Sequence, residues 1–423
     1  MQRPRFLRQM QKLGMLAGPL SSPKKKLRRR AIKVLWIAPS FFPRVGGLEV
    51  YNERIVESLA NFCDVGLVTS AREWFPGDAQ ISHFTLSKLE ATDATTKEQI
   101  ARELGDIVCE FKPDLVHLGG AQVAHHRWAI PESIPVVATV HGNDLTLERL
   151  PAGVGDYLGR AEAVNTCAHV FAVSEHTAAL CRQWGITAPL SIVTAGCDLE
   201  FFRPRPTLGR QARECLQVAE DVPIILTISR LVWGKGHLAI LEAIRCLPFR
   251  VHWVVGGDGP FREQLMEAIA ERGMADQVTL VGNVFDDDLL ALYNACDLFV
   301  LAPEKRRFED GRIYAESFGL VFLEASACGK PVITTRDCGC KDAVIDGGTG
   351  VLVPPSEPRH LSRAIEFVLS QPAVGKALGL GGFLFVHASG GWDRLASQTV
   401  ERYEEILHPS RQVTEPPSLR IPL

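Results

Sequence analysis

Long apolar runs are missing from this 423-residue chain: nowhere do about 18 apolar residues follow one another, so no membrane-spanning helix is expected. With 46% hydrophobic and 22% charged residues the composition falls in the ordinary globular range, and a soluble protein is expected. A zinc-type set of cysteine pairs is missing too. Cys338 and Cys340 stand close together, but no second pair at metal-binding spacing accompanies them, so they read as loop residues. The eleven cysteines are odd in number and scattered through stretches that read as core, such as Cys63, Cys109, Cys296 and Cys328; a reducing cytoplasm fits this best. Neither a repeat of solenoid length nor a low-complexity tract occurs outside the termini.

Acidic residues are absent from residues 1–30, which hold ten basic ones, including Lys24-Lys25-Lys26 and Arg28-Arg29-Arg30. Setting those ten aside turns the net charge of −3 into −13 for the remainder. A compact signal peptide does not fit, because the stretch from Leu13 to Leu20 is short, broken by Gly14, Gly18 and Pro19, and followed by more positive charge. Two expectations stay open for this tail. One is attachment to anionic lipid, with each Lys or Arg near the surface contributing roughly 1 kcal/mol. The other is a disordered extension, with Met15 as a candidate true start. The acidic remainder argues against nucleic acid as a partner.

Short β-branched runs alternate with helical patterns along most of the chain, the order that builds parallel sheets covered by helices. Six lie in the first half: Val34 to Ile37, Val65 to Val68, Leu115 to Leu118, Val136 to Val140, Val170 to Val173 and Ser191 to Val193. Six more follow: Ile224 to Ile228, His252 to Val255, Val278 to Val281, Leu298 to Leu301, Val332 to Thr334 and Val351 to Val353. The expectation is an α/β protein of two Rossmann-like, doubly wound parallel-sheet domains facing a cleft. Its boundary falls in Phe202-Arg203-Pro204-Arg205-Pro206, where two prolines interrupt any helix. The chain then divides into a basic tail (1–30), an N-terminal domain (31–205), a C-terminal domain (206–385) and a closing helix and tail (386–423), the helix spanning Trp392 to Leu407.

Ligands of open parallel sheets bind beyond the carboxyl ends of the strands. Directly after the Ile224 to Ile228 run come Arg230 and Lys235, two cations with Gly234 and Gly236 around the second, suited to receive a diphosphate. Further on, the stretch from Glu316 to Glu324 reads as the opening of a helix that stops at Gly329. Unpaired N–H groups near Gly319 and Leu320 would add the positive end of a helix dipole, and Gly319 lets the backbone come close. Glu316 and Glu324 flank that turn, one able to accept hydrogen bonds from sugar hydroxyls and the other from a ribose. Asp286-Asp287-Asp288 has the spacing of a metal-bound nucleotide carrier, but its place before Leu289-Leu290-Ala291-Leu292 favours helix capping. His125-His126 reads as an exposed pair at a helix start.

Arg230 followed by Lys235-Gly236, the Glu316 to Glu324 spacing and Gly256-Gly257-Asp258-Gly259-Pro260 together resemble family-four retaining glycosyltransferases of the GT-B fold. Pro39 to Glu49, His141-Gly142, Val173-Ser174-Glu175 and Gly196 to Pro204 extend the likeness from about residue 33 to 353, and more loosely to 407. The resemblance implies a hexosyltransferase that moves a sugar from a nucleotide-diphosphate sugar to a glycan, lipid-linked or small-molecule acceptor, with retention of configuration. It needs no cofactor and no metal. By the same likeness Arg230 and Lys235 bind the donor diphosphate, Glu324 holds the ribose, and Glu316 with the backbone of Phe318, Gly319 and Leu320 faces the transferred sugar. His141 reaches across the cleft to that sugar, and Gly46 and Gly47 lie where acceptor and donor phosphate meet the first domain. The protein would be cytoplasmic, with an anionic membrane surface as a partner of residues 1–30 and a role in polysaccharide biosynthesis. A sugar-nucleotide epimerase or hydrolase, or a non-catalytic membrane-associated scaffold, are the alternatives that the same fold allows.

Three stretches depart from the family pattern: Cys197 stands in Gly196-Cys197-Asp198, a charged insertion runs from Lys305 to Tyr314, and Gly379 to Gly391 is glycine-rich where a helix is usual. The tail generates one prediction. Deleting residues 1–30 is expected to leave donor hydrolysis intact while reducing binding to anionic vesicles, most visibly at low salt; equal vesicle sedimentation with and without the tail would contradict it.

Overall fold

The computed structural model describes residues 32–41, 46–70, 80–88, 94–146, 157–307, 309 and 313–409. The basic tail and residues 42–45 of the Pro39 to Glu49 stretch lie outside them. Two parallel sheets form the framework. The first contains β1 (Lys33–Ile37), β2 (Asp64–Ser70), β3 (Ile81–Leu86), β4 (Leu115–Leu118), β5 (Val136–Val140), β6 (His169–Ala172) and β7 (Leu190–Ile192), in the order β3-β2-β1-β4-β5-β6-β7. The second contains β8 (Ile224–Ile228), β9 (His252–Gly256), β10 (Val278–Gly282), β11 (Leu298–Val300), β14 (Val332–Thr335) and β15 (Gly350–Val353), in the order β10-β9-β8-β11-β14-β15. Between β11 and β14 a two-stranded antiparallel hairpin, β12 (Arg306–Arg307) with β13 (Ile313–Tyr314), accounts for part of the charged insertion.

Continuous apolar runs become strands here because helices cover both sheet faces, so that successive residues are buried whichever way they point. Every residue of β4, β5 and β6 is buried. The edge strand β3 follows another rule: only Ile81 and Leu86 of ISHFTL are buried, which leaves too weak a pattern to read from sequence. Packing the two faces of each sheet produces four apolar clusters, two per domain.

The glycine-rich stretch near residue 380 is helical, contrary to what its composition suggests, and lies within the helix Pro372–Ser389. Its glycines are required by close packing. A Cβ on Gly379 would lie 2.3 Å from the Gly329 carbonyl oxygen, and one on Gly381 would lie 2.1 Å from that of Gly348. The helix therefore sits directly on neighbouring backbone, and this contact offsets the poor helix propensity of glycine. The Trp392–Leu407 helix then returns to the first domain, where Trp392, Leu395, Ala396 and Tyr403 join the cluster around Trp36, Tyr51 and Ile55.

Three smaller readings need correction. His126 is fully buried in a 3-10 helix, Ala121–Ala129, so the pair with His125 is not an exposed helix start. Cys109 is exposed although its surroundings read as core, whereas Cys338 and Cys340 are buried free thiols. The Asp286 to Asp288 run occupies the first turn of the Asp286–Ala295 helix, with Phe285 at the N-cap making no side-chain cap bond, so these acids complement the helix dipole rather than capping.

The returning helix is tied to the sheet by a buried polar chain: the Tyr403 hydroxyl bonds His117 Nδ1 at 2.5 Å, and His117 Nε2 bonds Thr139 Oγ1 at 2.7 Å. Burial holds the His117 pKa well below the usual histidine value, so the ring is neutral and depends on these partners. Tyr403→Phe keeps the ring packing but leaves Nδ1 unpartnered, which should cost about 1–2 kcal/mol and lower the Tm by several degrees. A thermal unfolding curve that superimposes on the parent's would contradict this.

Candidate functional site

In each sheet the strand order reverses beside the first strand of the domain, at β1 between β2 and β4 and at β8 between β9 and β11. Such switch points open a crevice at the carboxyl ends of the strands, and the two crevices supply the candidate site.

The loop after β8 is built by close backbone approach. The Ser229 N–H donates to the Gly256 carbonyl at 3.0 Å, Leu231 N–H to Asp258 at 2.9 Å, and Phe261 N–H back to Leu231 at 2.9 Å. A Cβ on Gly257, whose φ is 127°, would lie 1.8 Å from the Ser229 carbonyl oxygen, and this explains the glycine-rich run after β9. Gly236, with φ 75°, ends the loop and caps the His237–Arg245 helix; its Cβ would lie 1.9 Å from the Ala302 carbonyl oxygen. His237 beside it is buried and bonds Ser229 Oγ at 3.0 Å, with its pKa pushed down to about 3 by burial and by the Lys235 charge.

Lys235 leaves this loop to form an ion pair with Glu316, and the two side chains are only 14% and 13% exposed. Burial works against the ammonium, but Glu316 and Tyr314 more than offset it and hold the Lys235 pKa above the usual lysine value. Arg230, in contrast, is exposed, and its charge reaches the Tyr314 hydroxyl. Tyr314 comes from the hairpin insertion. Its ring lies against Gly234, where a Cβ would meet it at 2.5 Å, and across the same loop Arg306 stands 5.2 Å over the Trp233 ring.

The helix of the second carboxylate runs Leu320–Ala327 with Gly319 at its N-cap, φ 92°. Glu316 therefore lies three residues before the cap and Glu324 in the second turn, so the two acids flank the helix start. In the first turn the Phe322 N–H donates to the Gly319 carbonyl at 3.0 Å, and the turn carries the positive end of the helix dipole. Phe318 buries its ring in the second core, so its backbone alone can face a ligand. Glu324 accepts from the Tyr293 hydroxyl at 2.6 Å. Burial pushes its pKa up to about 7, against the opposing pull of Tyr293 and of Arg54 on the first domain.

On the first domain, Gly46 is the N-cap and Gly47 the first residue of the helix Gly47–Leu59. A Cβ at Gly46 would lie 2.6 Å from Glu49 Oε2, while Glu49 Oε1 accepts from Ser40 Oγ at 2.6 Å. His141 follows β5. Its N–H donates to the Asp144 carboxylate at 3.0 Å, its Nε2 bonds the Gly119 carbonyl at 3.1 Å, and its ring edge packs on Tyr51 from the Gly47–Leu59 helix at 4.8 Å. A carbonyl only accepts, so Nε2 carries the proton and Nδ1 is left as an acceptor in the neutral ring. Burial lowers the His141 pKa, opposed by Asp144, the Gly119 carbonyl and Glu49, and so favours that neutral form.

Thus Gly46, Gly47 and His141 gather on one side, and Arg230, Lys235, Glu316, Gly319 and Leu320 on the other. The sides touch. Gly142 brings the first backbone to where a Cβ would lie 3.2 Å from Ser317 Oγ, and Leu320 packs on the first domain's core. Glu324 lies beside Tyr293, within electrostatic reach of Arg54. Sequence reasoning missed Asp144, Tyr51 and Tyr314. Only Asp144 left a signal, three residues after His141 at a helix start. No group of three or more metal-ligating side chains occurs among the described residues.

This is the architecture of a two-domain glycosyltransferase of the GT-B type. A family model for "Glycosyltransferase Family 4" matches residues 45–201, and one for "Glycosyl transferases group 1" matches residues 210–379. The chain belongs to this glycosyltransferase family and is an enzyme of that class. It is 30% identical over 433 residues to the D-inositol 3-phosphate glycosyltransferase 2 of Catenulispora acidiphila, spanning 91% of this chain and 96% of that one. It is 26% identical over 380 residues to the GDP-mannose-dependent alpha-(1-6)-phosphatidylinositol monomannoside mannosyltransferase of Mycobacterium tuberculosis, spanning 87% and 97%. Among solved structures, sucrose-phosphate synthase from Thermosynechococcus elongatus superimposes with a TM-score of 0.73 at 23% identity, covering 89% of this chain and all of that one. Anabaena Alr3699/HepE in complex with UDP-glucose does so with 0.71 at 21% identity, covering 88% and 100%; both likenesses concern the fold.

Gly236→Ala should collide with the Ala302 carbonyl as well as strain a positive φ, lowering both Tm and sugar transfer. Gly273→Ala is the control, since φ there is 63° but nothing lies within 4 Å of the added Cβ. It should cost only about 1–2 kcal/mol and leave turnover unchanged. Equal Tm losses in the two variants, with activity kept in both, would contradict the packing argument.

Proposed function

We propose that the enzyme transfers a hexose from a nucleoside-diphosphate sugar to a hydroxyl of a lipid-linked or small-molecule acceptor, with retention of configuration. The observation that carries this reading is the Lys235–Glu316 pair held beside the start of the Leu320–Ala327 helix at a switch-point crevice. As the bond from sugar C1 to the leaving oxygen breaks, negative charge grows on the diphosphate and positive charge on the sugar. Lys235, Arg230 and the helix N–H groups oppose the first, and the Glu316 carboxylate opposes the second. The acceptor oxygen attacks from the face the phosphate leaves, and its proton passes to the departing phosphate oxygen. Neutral His141 offers its Nδ1 lone pair to a sugar hydroxyl. This set of charges serves the leaving group without a resident metal ion.

The names of the relatives support a nucleotide donor, and a phosphatidylinositol-type or inositol phosphate acceptor is the class they suggest. No helix among the described residues is long and apolar enough to cross a membrane. A cytoplasmic enzyme, reaching a lipid-linked acceptor through residues 1–30, is the arrangement we favour. Residues 31–205 would serve the acceptor and residues 206–385 the donor.

Incubation with GDP-mannose and UDP-glucose, with and without phosphatidylinositol or inositol phosphate, tests the reading by product analysis: a glycosylated acceptor supports it, and free sugar alone or an epimerised donor overturns it. Lys235→Ala and Arg230→Ala should each lower turnover at least about tenfold, or about 1.4 kcal/mol of transition-state stabilisation. Parent-like kinetics in both would displace the site. Glu324 supplies a pH test. Its carboxylate forms as pH rises through about 7, so GDP or UDP should bind more tightly at pH 8 than at pH 6, and Glu324→Gln should flatten that dependence. Calorimetric affinities that change with pH equally in both proteins would rule out this role.

A further inference from the structure

Residues 315–317 join the hairpin to the helix of the second domain and belong to neither, so their backbone groups must find partners elsewhere. Three separate elements supply them. The Ala315 N–H donates to Asn143 Oδ1 at 3.2 Å. The Glu316 carbonyl accepts from the Gly339 N–H at 2.7 Å. The Ser317 carbonyl accepts from the Ser174 hydroxyl at 2.6 Å. Asn143 and Ser174 both belong to the first domain, so the residue on each side of Glu316 is held from across the crevice.

Neither partner is an incidental surface contact. Asn143 opens the short helix directly after His141-Gly142, whose loop is fixed by the buried Asp144 carboxylate. Ser174 is fully buried and is the N-cap of the Glu175–Gln183 helix; its oxygen accepts from the Thr177 N–H at 3.0 Å while its proton goes to Ser317. One further bond, from the His176 N–H to Asp342 Oδ2 at 3.1 Å, holds the same two surfaces together.

We propose that Asn143 and Ser174 are positioning residues for sugar transfer: by gripping the residues before and after Glu316, they set its carboxylate, and through it the Lys235 ammonium, against the reacting sugar. The inference rests on the donor-site reading above. It makes the alignment of the Glu316–Lys235 pair a property of both domains together, whereas nucleotide binding remains a property of the second. The family's nucleotide contacts would then be necessary for affinity but insufficient for turnover.

Hydrogen exchange and steady-state kinetics on the full chain separate these roles. Asn143→Leu removes the acceptor at similar size, and it should speed exchange of the Ala315 amide at least tenfold. It should also lower kcat for transfer from GDP-mannose or UDP-glucose about tenfold, leave the Kd for GDP and UDP within twofold and lower the Tm by no more than a few degrees. Ser174→Ala should lower kcat similarly, and Ser174→Thr, which keeps the hydroxyl, should restore it. Parent-like exchange and kcat in Asn143→Leu would overturn the proposal. So would a joint loss of kcat, nucleotide affinity and Tm, which marks a general structural role. A parent that transfers no sugar from either donor would instead sink the donor-site reading, and the exchange result would still decide the grip.

Discussion

The Lys235–Glu316 ion pair is the constraint on which the rest of the site depends. Both side chains are largely withdrawn from water, and removing two charges from water costs about as much as their attraction returns, so the pair is poorly explained as a source of stability. Its value lies in position. An ammonium on a flexible stem acquires a direction only when its partners are fixed, and here they are a carboxylate on an irregular peptide and a phenol on a hairpin. The negative partner also leaves the buried ammonium opposed by a carboxylate.

Glycine makes that geometry reachable. The loop after β8 lies directly on the loop after β9 at Gly257 and on the residues after β11 at Gly236, and neither approach leaves room for a side chain. The same device recurs at Gly339, where a Cβ would lie 2.0 Å from the Ser317 carbonyl oxygen, beneath the peptide that carries Glu316. Backbone packed on backbone is rigid, and rigidity in these loops transmits the order of the sheets to the charged side chains at their ends.

Much of this was legible in the sequence. Twelve apolar runs correspond to strands because parallel strands are buried on both faces, and Arg230, Lys235, Glu316 and Gly319 follow or precede such runs at recognisable spacing. What escaped had no one-dimensional signal. The edge strand β3 is too polar, Tyr314 sits in a charged insertion, and the contacts of Asn143 and Ser174 with residues 315–317 join positions more than 140 apart in the chain. The glycines near residue 380 misled because their reason is a neighbouring backbone, visible only once the Pro372–Ser389 helix is packed. The place of the cap between Glu316 and Glu324 was legible, because the helix start near Gly319 and Leu320 falls between the two acids in the sequence.

We propose that the second domain's crevice holds a nucleoside diphosphate between Lys235 and the start of the Leu320–Ala327 helix. A crystal structure of the full chain with GDP or UDP tests it most directly. Phosphate oxygens are expected within hydrogen-bonding distance of Lys235 Nζ and of the first-turn N–H groups after Gly319, with Arg230 turned toward them and the ribose hydroxyls on Glu324. Nucleotide bound outside this crevice, or inside it with its phosphates away from both Lys235 and that helix start, would place the donor site elsewhere.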